Sequence, residues 1–229
     1  MTLRVTVSFS GGKDSTYATW IALHQGWDVS LVTVSPHSPD SLMFHYPNVD
    51  WTNLQARAMG LPHEFVKITG KDEVAELQSA LTRMKSSREI SGLVTGAVAS
   101  DFQKTRFDNM CDTVGLRSYS PLWHKSPKVL VEDLQKFGFR IILTAVAAKG
   151  LDESWLGKEL TEQDWSKLGH LSQIHGMHLT GEGGEYESFV LDAPHFKKTI
   201  EIEESRREWR GDSGRVIIEK ASLRDKLGN

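Results

Sequence analysis

Six residues near the start of the chain, Ser10-Gly11-Gly12-Lys13-Asp14-Ser15, combine what an anion needs. Two glycines let backbone N–H groups approach a phosphate with no Cβ in the way. A helix starting near Asp14–Ser15 aims its positive end at the same point. Lys13 adds a compact positive charge, and the hydroxyls of Ser10 and Ser15 can donate. The spacing is not the G-x-x-x-x-G-K-[ST] of a γ-phosphate loop. Asp14 follows Lys13, and Val7 stands where the first glycine would have to be. Lys13 is expected as an exposed loop lysine that contributes little to packing.

Two further segments carry chemistry. Gly181-Glu182-Gly183-Gly184-Glu185-Tyr186-Glu187-Ser188 sets three carboxylates among three glycines. It reads as a solvated turn, a poor helix and a poor buried strand. Glu185 and Glu187 would share a face if extended, and Tyr186 with nearby Phe189 would offer aromatic surface. The other segment is Gly96-Ala97-Val98-Ala99-Ser100-Asp101-Phe102-Gln103-Lys104-Thr105-Arg106. Ser100 and Gln103 have capping-box spacing, so a helix N-terminus is expected there beside Asp101. His175-x-x-His178 has ligand spacing, but no partner cluster accompanies it, so a structural role is expected rather than zinc.

These residues need a scaffold. Leu3, Val5, Val7 and Phe9 alternate with polar residues, which is strand periodicity. Tyr17, Ala18, Ile21 and Ala22 give a helical stripe ending before Gly26, and Val29–Val34 is a second strand. Strand, loop, helix, strand is the start of a parallel α/β unit. The pattern continues coarsely with a helix at Asp50–Met59, a strand at Glu64–Ile68, a charged amphipathic helix at Lys71–Lys85 and a short strand at Leu93–Thr95. Phe107, Met110, Cys111 and Val114 then fall on one helical face, closed by Gly115. Ligands in open α/β sheets sit outside the carboxyl ends of the strands, so Gly96 to Asp101 should face the same crevice as the Ser10 loop. Near residue 120 the texture changes. Helices are expected at Ser126–Lys136 and Thr161–His175, a strand at Phe139–Ala147, and β-like runs such as Val216–Glu219 mixed with charge at the end. The reading is a doubly wound, mostly parallel sheet over residues 1–120 and a smaller α+β lobe over 121–229.

The chain has 229 residues and a formal net charge of −3, which argues against a surface built wholly to grip nucleic acid. The C-terminal Arg206, Arg207, Arg210, Arg215 and Arg224 are interleaved with acids and read as a mixed solvated face. A single cysteine, Cys111, excludes an intrachain disulfide and suits a reducing, cytoplasmic setting. No secretory signal is read at MTLRVTVSFS, and the longest apolar run, about Ile141–Ala148, is too short to span a bilayer.

The Ser10–Ser15 loop resembles the PP-loop of the ATP pyrophosphatases. That resemblance implies a doubly wound fold that cleaves ATP between its α- and β-phosphates and adenylates an oxygen of the substrate. With Met43-Phe44-His45, Pro121-Leu122-Trp123, Leu151-Asp152-Glu153-Ser154-Trp155-Leu156-Gly157 and the two segments above, the chain looks like the diphthine–ammonia ligase family, from the first strand to about Phe196. Tyr46 and Ser188 depart from the threonines common there. The resemblance implies that ATP, ammonia and diphthine, a modified histidine on elongation factor 2, give diphthamide, AMP and pyrophosphate, with Mg²⁺ assisting. No metal ligands are assigned.

Site roles follow from it. Lys13, Asp14 and Glu185 are expected to act in catalysis. Ser10, Gly11, Gly12, Lys13, Asp14, Ser15, Gly96, Ser100 and Asp101 would hold the nucleotide. His45, Gln103, Arg106, Trp123, Glu182, Glu185, Tyr186 and Glu187 would bind the substrate. Trp123 would either stack on a ring or fill a lobe interface. By the same resemblance diphthine carries a carboxylate and a trimethylammonium group; a quaternary ammonium has no N–H, so carboxylate charge and aromatic faces must recognise it, and the Gly181–Ser188 segment carries both. The expected partners are elongation factor 2 and free ammonium, since Cys111 sits mid-helix and no glutaminase cysteine is evident; neither membrane nor direct nucleic acid is expected. Alternatives of other kinds are ATP-dependent amidation or modification of a small carboxylate or tRNA, and a nucleotide-binding sensor without chemistry. Sulfur insertion into tRNA would need more than one cysteine.

Overall fold

The computed structural model describes residues 2–35, 48–70 and 72–226. It divides into two compact units, Met1–Trp123 and His124–Asn229.

The first unit runs β1 (Arg4–Ser8), α1 (Lys13–His24), β2 (Asp28–Ser35), a 3₁₀ turn (Val49–Trp51) leading into α2 (Thr52–Met59), β3 (His63–Lys67), α3 (Glu73–Ser87), β4 (Gly92–Val94), α4 (Asp101–Val114) and β5 (Arg117–Tyr119). Its five strands are all parallel, in the order β3-β2-β1-β4-β5. The doubly wound α/β sheet expected from the sequence is therefore present. The chain leaves β1 towards β2 and later returns to β4 on the other side. The carboxyl ends of β1 and β4 thus flank the switch point where such sheets bind ligands.

A strand covered on both faces buries nearly every residue. Between Val5 and Val7, both fully buried, Thr6 is buried as well and donates its hydroxyl to Ser30 O at 3.3 Å. One face of the sheet is covered by α3 and α4, where Leu77, Leu81, Met84, Phe107, Met110 and Cys111 meet Val32, Val34, Val66 and Leu93. Right-handed connections place α1 and α2 on the other face. The helix stops are as the sequence implied. Gly26 (φ +72°) follows α1, and Gly115 (φ +70°) ends α4.

The second unit contains α5 (Pro127–Lys136), β6 (Arg140–Val146), a 3₁₀ turn (Glu153–Trp155), α6 (Glu162–His175), β7 (Tyr186–Asp192), β8 (Lys198–Arg210) and β9 (Ser213–Asp225). Its antiparallel sheet has the order β7-β6-β9-β8. Ile141, Ile142, Leu143 and Val146 of β6 form its buried centre. The sequence reading missed most of this sheet. Only Ile200 and Ile202 mark β8 as apolar, and the rest of its thirteen residues are polar apart from Trp209. Instead, β8 is held to β9 along its whole length, from Lys198↔Asp225 to Arg210↔Ser213. Ion pairs cross the pair at Lys198–Asp225 (2.8 Å), Arg206–Glu219 (2.9 Å), Glu208–Arg215 (2.6 Å), Glu203–Lys220 (2.8 Å) and Glu201–Arg224. Most of the terminal arginines are thus committed to carboxylates.

α6 opens with a complete capping box, Thr161 with Asp164. Asp164 is almost fully buried. Burial alone would raise its pKa, but Lys158 Nζ at 2.6 Å and the Thr161 hydroxyl and N–H outweigh it and hold the carboxyl at about 2, against an ordinary 3.8. A depressed carboxylate stabilises the fold above its ordinary pKa and loses that contribution as pH falls through the folded value. Asp164→Asn should therefore lower stability at neutral pH by about 2 kcal/mol and flatten the fall in stability between about pH 4 and 2. Urea titrations across that range measure both effects.

Candidate active site

The Ser10–Ser15 segment connects the central strand β1 to α1. Gly12 takes the N-cap position in extended conformation, and no side chain caps the helix. An uncapped helix start at the carboxyl end of a central strand is a place for an anion. The loop is built from its own hydroxyls. Ser10 N donates to Ser15 Oγ at 3.2 Å, and the Ser10 and Ser15 hydroxyls lie 3.0 Å apart. Ser15 Oγ and Thr16 Oγ1 both donate to Gly12 O, at 3.1 and 2.8 Å.

Lys13 departs from expectation. It is the first residue of α1 rather than an exposed loop residue, and only 3% of its surface is accessible. Its Nζ pairs with Asp14 Oδ2 at 2.7 Å. Burying a lysine requires a counter-charge, and its neighbour supplies one. The other carboxylate oxygen, Asp14 Oδ1, is buried without a hydrogen-bond partner among the described residues. Such an atom is costly unless a cation or donor completes it.

Two glycines leave space that no other residue could. Gly11 has φ +80°, and a Cβ there would lie 2.3 Å from Gln55 Oε1. A Cβ on Gly96 would lie 2.7 Å from Ser15 N and 2.8 Å from the carbonyl carbon of Asp14. The segment leaving β4 therefore packs directly on the first turn of α1, which brings Gly96 to the Ser10–Ser15 loop. Just beyond, Ser100 caps α4 by accepting Gln103 N at 3.3 Å, and Asp101 occupies the first turn. Arg106 lies with its guanidinium 4.1 Å from the Phe102 ring centroid, and Phe102 is 44% exposed. Lys104 pairs with Asp108 at 2.6 Å and lies 5.7 Å over the half-buried Trp123 ring. His45, with Met43 and Phe44, lies outside the described residues.

In the second unit, the Gly181–Ser188 segment is a turn that becomes β7 at Tyr186. Glu185 organises it. Its Oε1 accepts His178 N at 2.5 Å and its Oε2 accepts Gly183 N at 2.8 Å. A Cβ on Gly183 would run into that carboxylate at 2.8 Å. Tyr186 is 4% exposed and donates its hydroxyl to Leu179 O at 2.7 Å. Phe189 is 3% exposed. The aromatic surface expected of this segment is thus interior packing, because the strand that starts at Tyr186 turns both rings into the fold. Glu182 and Glu187 are half-buried. No group of three or more His, Cys, Asp or Glu able to hold a metal ion occurs among the described residues, His175 and His178 included.

Sequence reasoning missed two residues here. Gln55 carried no signal, being one polar position in a short helix. Phe102 lies within the Gly96–Arg106 segment, but its exposure is visible only once α4 is placed.

The Gly96 contact is with backbone, so a side chain there must displace α1. Gly96→Ala should cost the first unit about 1–3 kcal/mol, as overpacking does. Gly26→Ala should cost no more than about 1–2 kcal/mol from its left-handed conformation alone, since nothing lies within 4 Å of its Cβ position. Urea unfolding of both variants gives the comparison.

Two domain models of one family match the chain, the diphthamide synthase N-terminal domain over residues 3–118 and its C-terminal domain over 126–223. A diphthine–ammonia ligase of Mus musculus is 35% identical over 225 residues, covering 89% of this chain and 84% of that protein. That of Homo sapiens is 33% identical, covering 96% and 86%. That of Schizosaccharomyces pombe is 34% identical over 98% of this chain but 40% of its own length. A solved structure, a predicted subunit of tRNA methyltransferase from Methanocaldococcus jannaschii, superposes with TM-score 0.48 at 15% identity, over 83% of this chain and 97% of its own. Matched by both domain models and by these relatives along most of its length, the chain belongs to the diphthamide synthase family.

Proposed function

We propose that this chain is an ATP-dependent diphthine–ammonia ligase. It joins ammonia to the carboxylate of diphthine on elongation factor 2 and releases AMP and pyrophosphate. Family membership supports the reaction. The observation that carries the nucleotide part is the uncapped start of α1 at the end of β1, with buried Lys13 beside it and Asp14 Oδ1 unpartnered among the described residues.

The Ser10–Ser15 loop would hold the departing pyrophosphate, with Lys13 stabilising the charge that grows on it. Gly96, Ser100 and Asp101 extend the same site along the neighbouring strand end. The residues fit a magnesium ion in one respect: Asp14 Oδ1, without a hydrogen-bond partner among the described residues, is a carboxylate oxygen that could take a cation, and Mg²⁺ there would neutralise phosphate charge. In the first step a diphthine carboxylate oxygen bonds to the α-phosphorus and pyrophosphate leaves. In the second, ammonia attacks the acyl carbon, AMP leaves, and the nitrogen loses a proton. Keeping both steps in one site supplies proximity.

Free ammonium suits the chemistry of Cys111. That thiol is fully buried, and burial first, then the nearby Asp108 charge, pushes its pKa up to about 11. A protonated, inaccessible thiol cannot release ammonia from glutamine. On the substrate side, Glu182 and Glu187 would bring carboxylate charge towards diphthine, while Glu185 shapes the turn that carries Glu182. Gln103, Arg106 and Trp123 remain candidates for contact with the protein substrate. Among the described residues no helix is long and apolar enough to cross a membrane. The single cysteine suits a reducing setting, where we place the reaction, in the cytoplasm.

Mass spectrometry of elongation factor 2 bearing diphthine, incubated with the protein, ATP and ammonium, should show the change from carboxylate to amide together with AMP. AMP with no amide would point to another acceptor, and neither product would leave only a nucleotide-binding sensor. Lys13→Met should slow AMP release by about a hundredfold or more. Because it also strips Asp14 of its buried partner, it should cost about 1–3 kcal/mol of stability. Glu185→Gln would turn an amide NH₂ against a backbone N–H. It should raise KM for elongation factor 2 about tenfold and leave KM for ATP unchanged.

A further inference from the structure

The two carbonyls that flank Ser10 are both held by buried side chains. Phe9 O accepts the Thr33 hydroxyl at 2.7 Å, and Gly11 O accepts Gln55 Nε2 at 2.8 Å. Thr33 of β2 is 1% exposed, and Gln55 of α2 is fully buried. The brace has a second layer. His63 Nε2 lies 2.8 Å from Thr33 Oγ1. The Thr33 hydroxyl proton is committed to Phe9, so the ring must donate to Thr33. Elements far away in sequence thus converge on two peptide groups of one loop.

The geometry has a purpose that packing alone would not require. An anion cradle works only if N–H groups face the anion and carbonyls face away from it. A loop containing adjacent glycines does not enforce this, because glycine populates both signs of φ about equally. Gly11 stands at φ +80°. If its carbonyl lost its partner, the peptide could turn and present oxygen where the phosphate belongs. Only the fraction of molecules in the competent arrangement would then bind, and apparent affinity would fall by that fraction.

We propose that Gln55 and Thr33 are positioning residues that set the peptide planes around Ser10 for the pyrophosphate of ATP. The proposal rests on the ATP reading above. Both residues act on the nucleotide through the loop, and the activity of the family names neither.

The test uses isosteric losses of one hydrogen bond, Gln55→Met and Thr33→Val, with Thr33→Ser as the variant that keeps the hydroxyl. ATP binding is measured by calorimetry, and KM is measured separately for ATP and for ammonium. Q55M and T33V should each weaken ATP binding about tenfold, what one buried hydrogen bond is worth in affinity, with KM for ammonium unchanged. T33S should bind ATP as the wild type does. Wild-type protein that failed to bind ATP would sink the nucleotide reading and this proposal together. Wild-type binding with equal affinity in Q55M and T33V would sink the proposal alone. So would equal rises in both KM values, which mark general damage to the fold. Should Q55M not fold, the contrast between T33V and T33S decides the question by itself.

Discussion

The first unit depends on how closely the exit from β4 approaches the start of α1. With Cβ-free Gly96 against the backbone of Asp14 and Ser15, the segments that leave the adjacent strands β1 and β4 are packed together at the sheet's carboxyl edge. That contact fixes where the helix start points. The helix start in turn fixes Lys13, whose buried charge could not be tolerated without Asp14 beside it. Once Lys13 and Asp14 are bound to each other at the N-terminus of α1, the direction of the helix start and the charge balance beside it are set by the same few atoms. A change of one methyl group in that contact would be felt by every group in the loop.

Much of this first unit was legible in the sequence because its strands and helices are short, regular and punctuated by glycine. The apolar alternation of Leu3 to Phe9, the stops at Gly26 and Gly115 and the cap at Ser100 each have a local cause. The burial of Lys13 has none that can be read locally, since it depends on the sheet around it. Gln55 is the plainest case. Its partner lies 44 residues away, and no spacing rule connects them.

The second unit was less legible for a different reason. β8 is patterned by charge rather than by apolar alternation, and its partners lie across a hairpin. The glycine-rich acidic segment shows the limit of composition. Composition could say that carboxylates and aromatic rings were present. It could not say that Tyr186 and Phe189 belong to the interior while Glu185 spends both oxygens on backbone N–H groups.

The charged ladder along β8 has a consequence for solubility. β8 is an edge strand of thirteen residues, and a long open edge is a template on which other chains can add strands and aggregate. Here any incoming strand would have to strip water from side chains already satisfied by ion pairs with β9. The same arginines and glutamates that obscure the strand in the sequence therefore guard it in solution. Replacing them with the valines and isoleucines that make strands easy to recognise would make the protein easier to read and harder to keep dissolved.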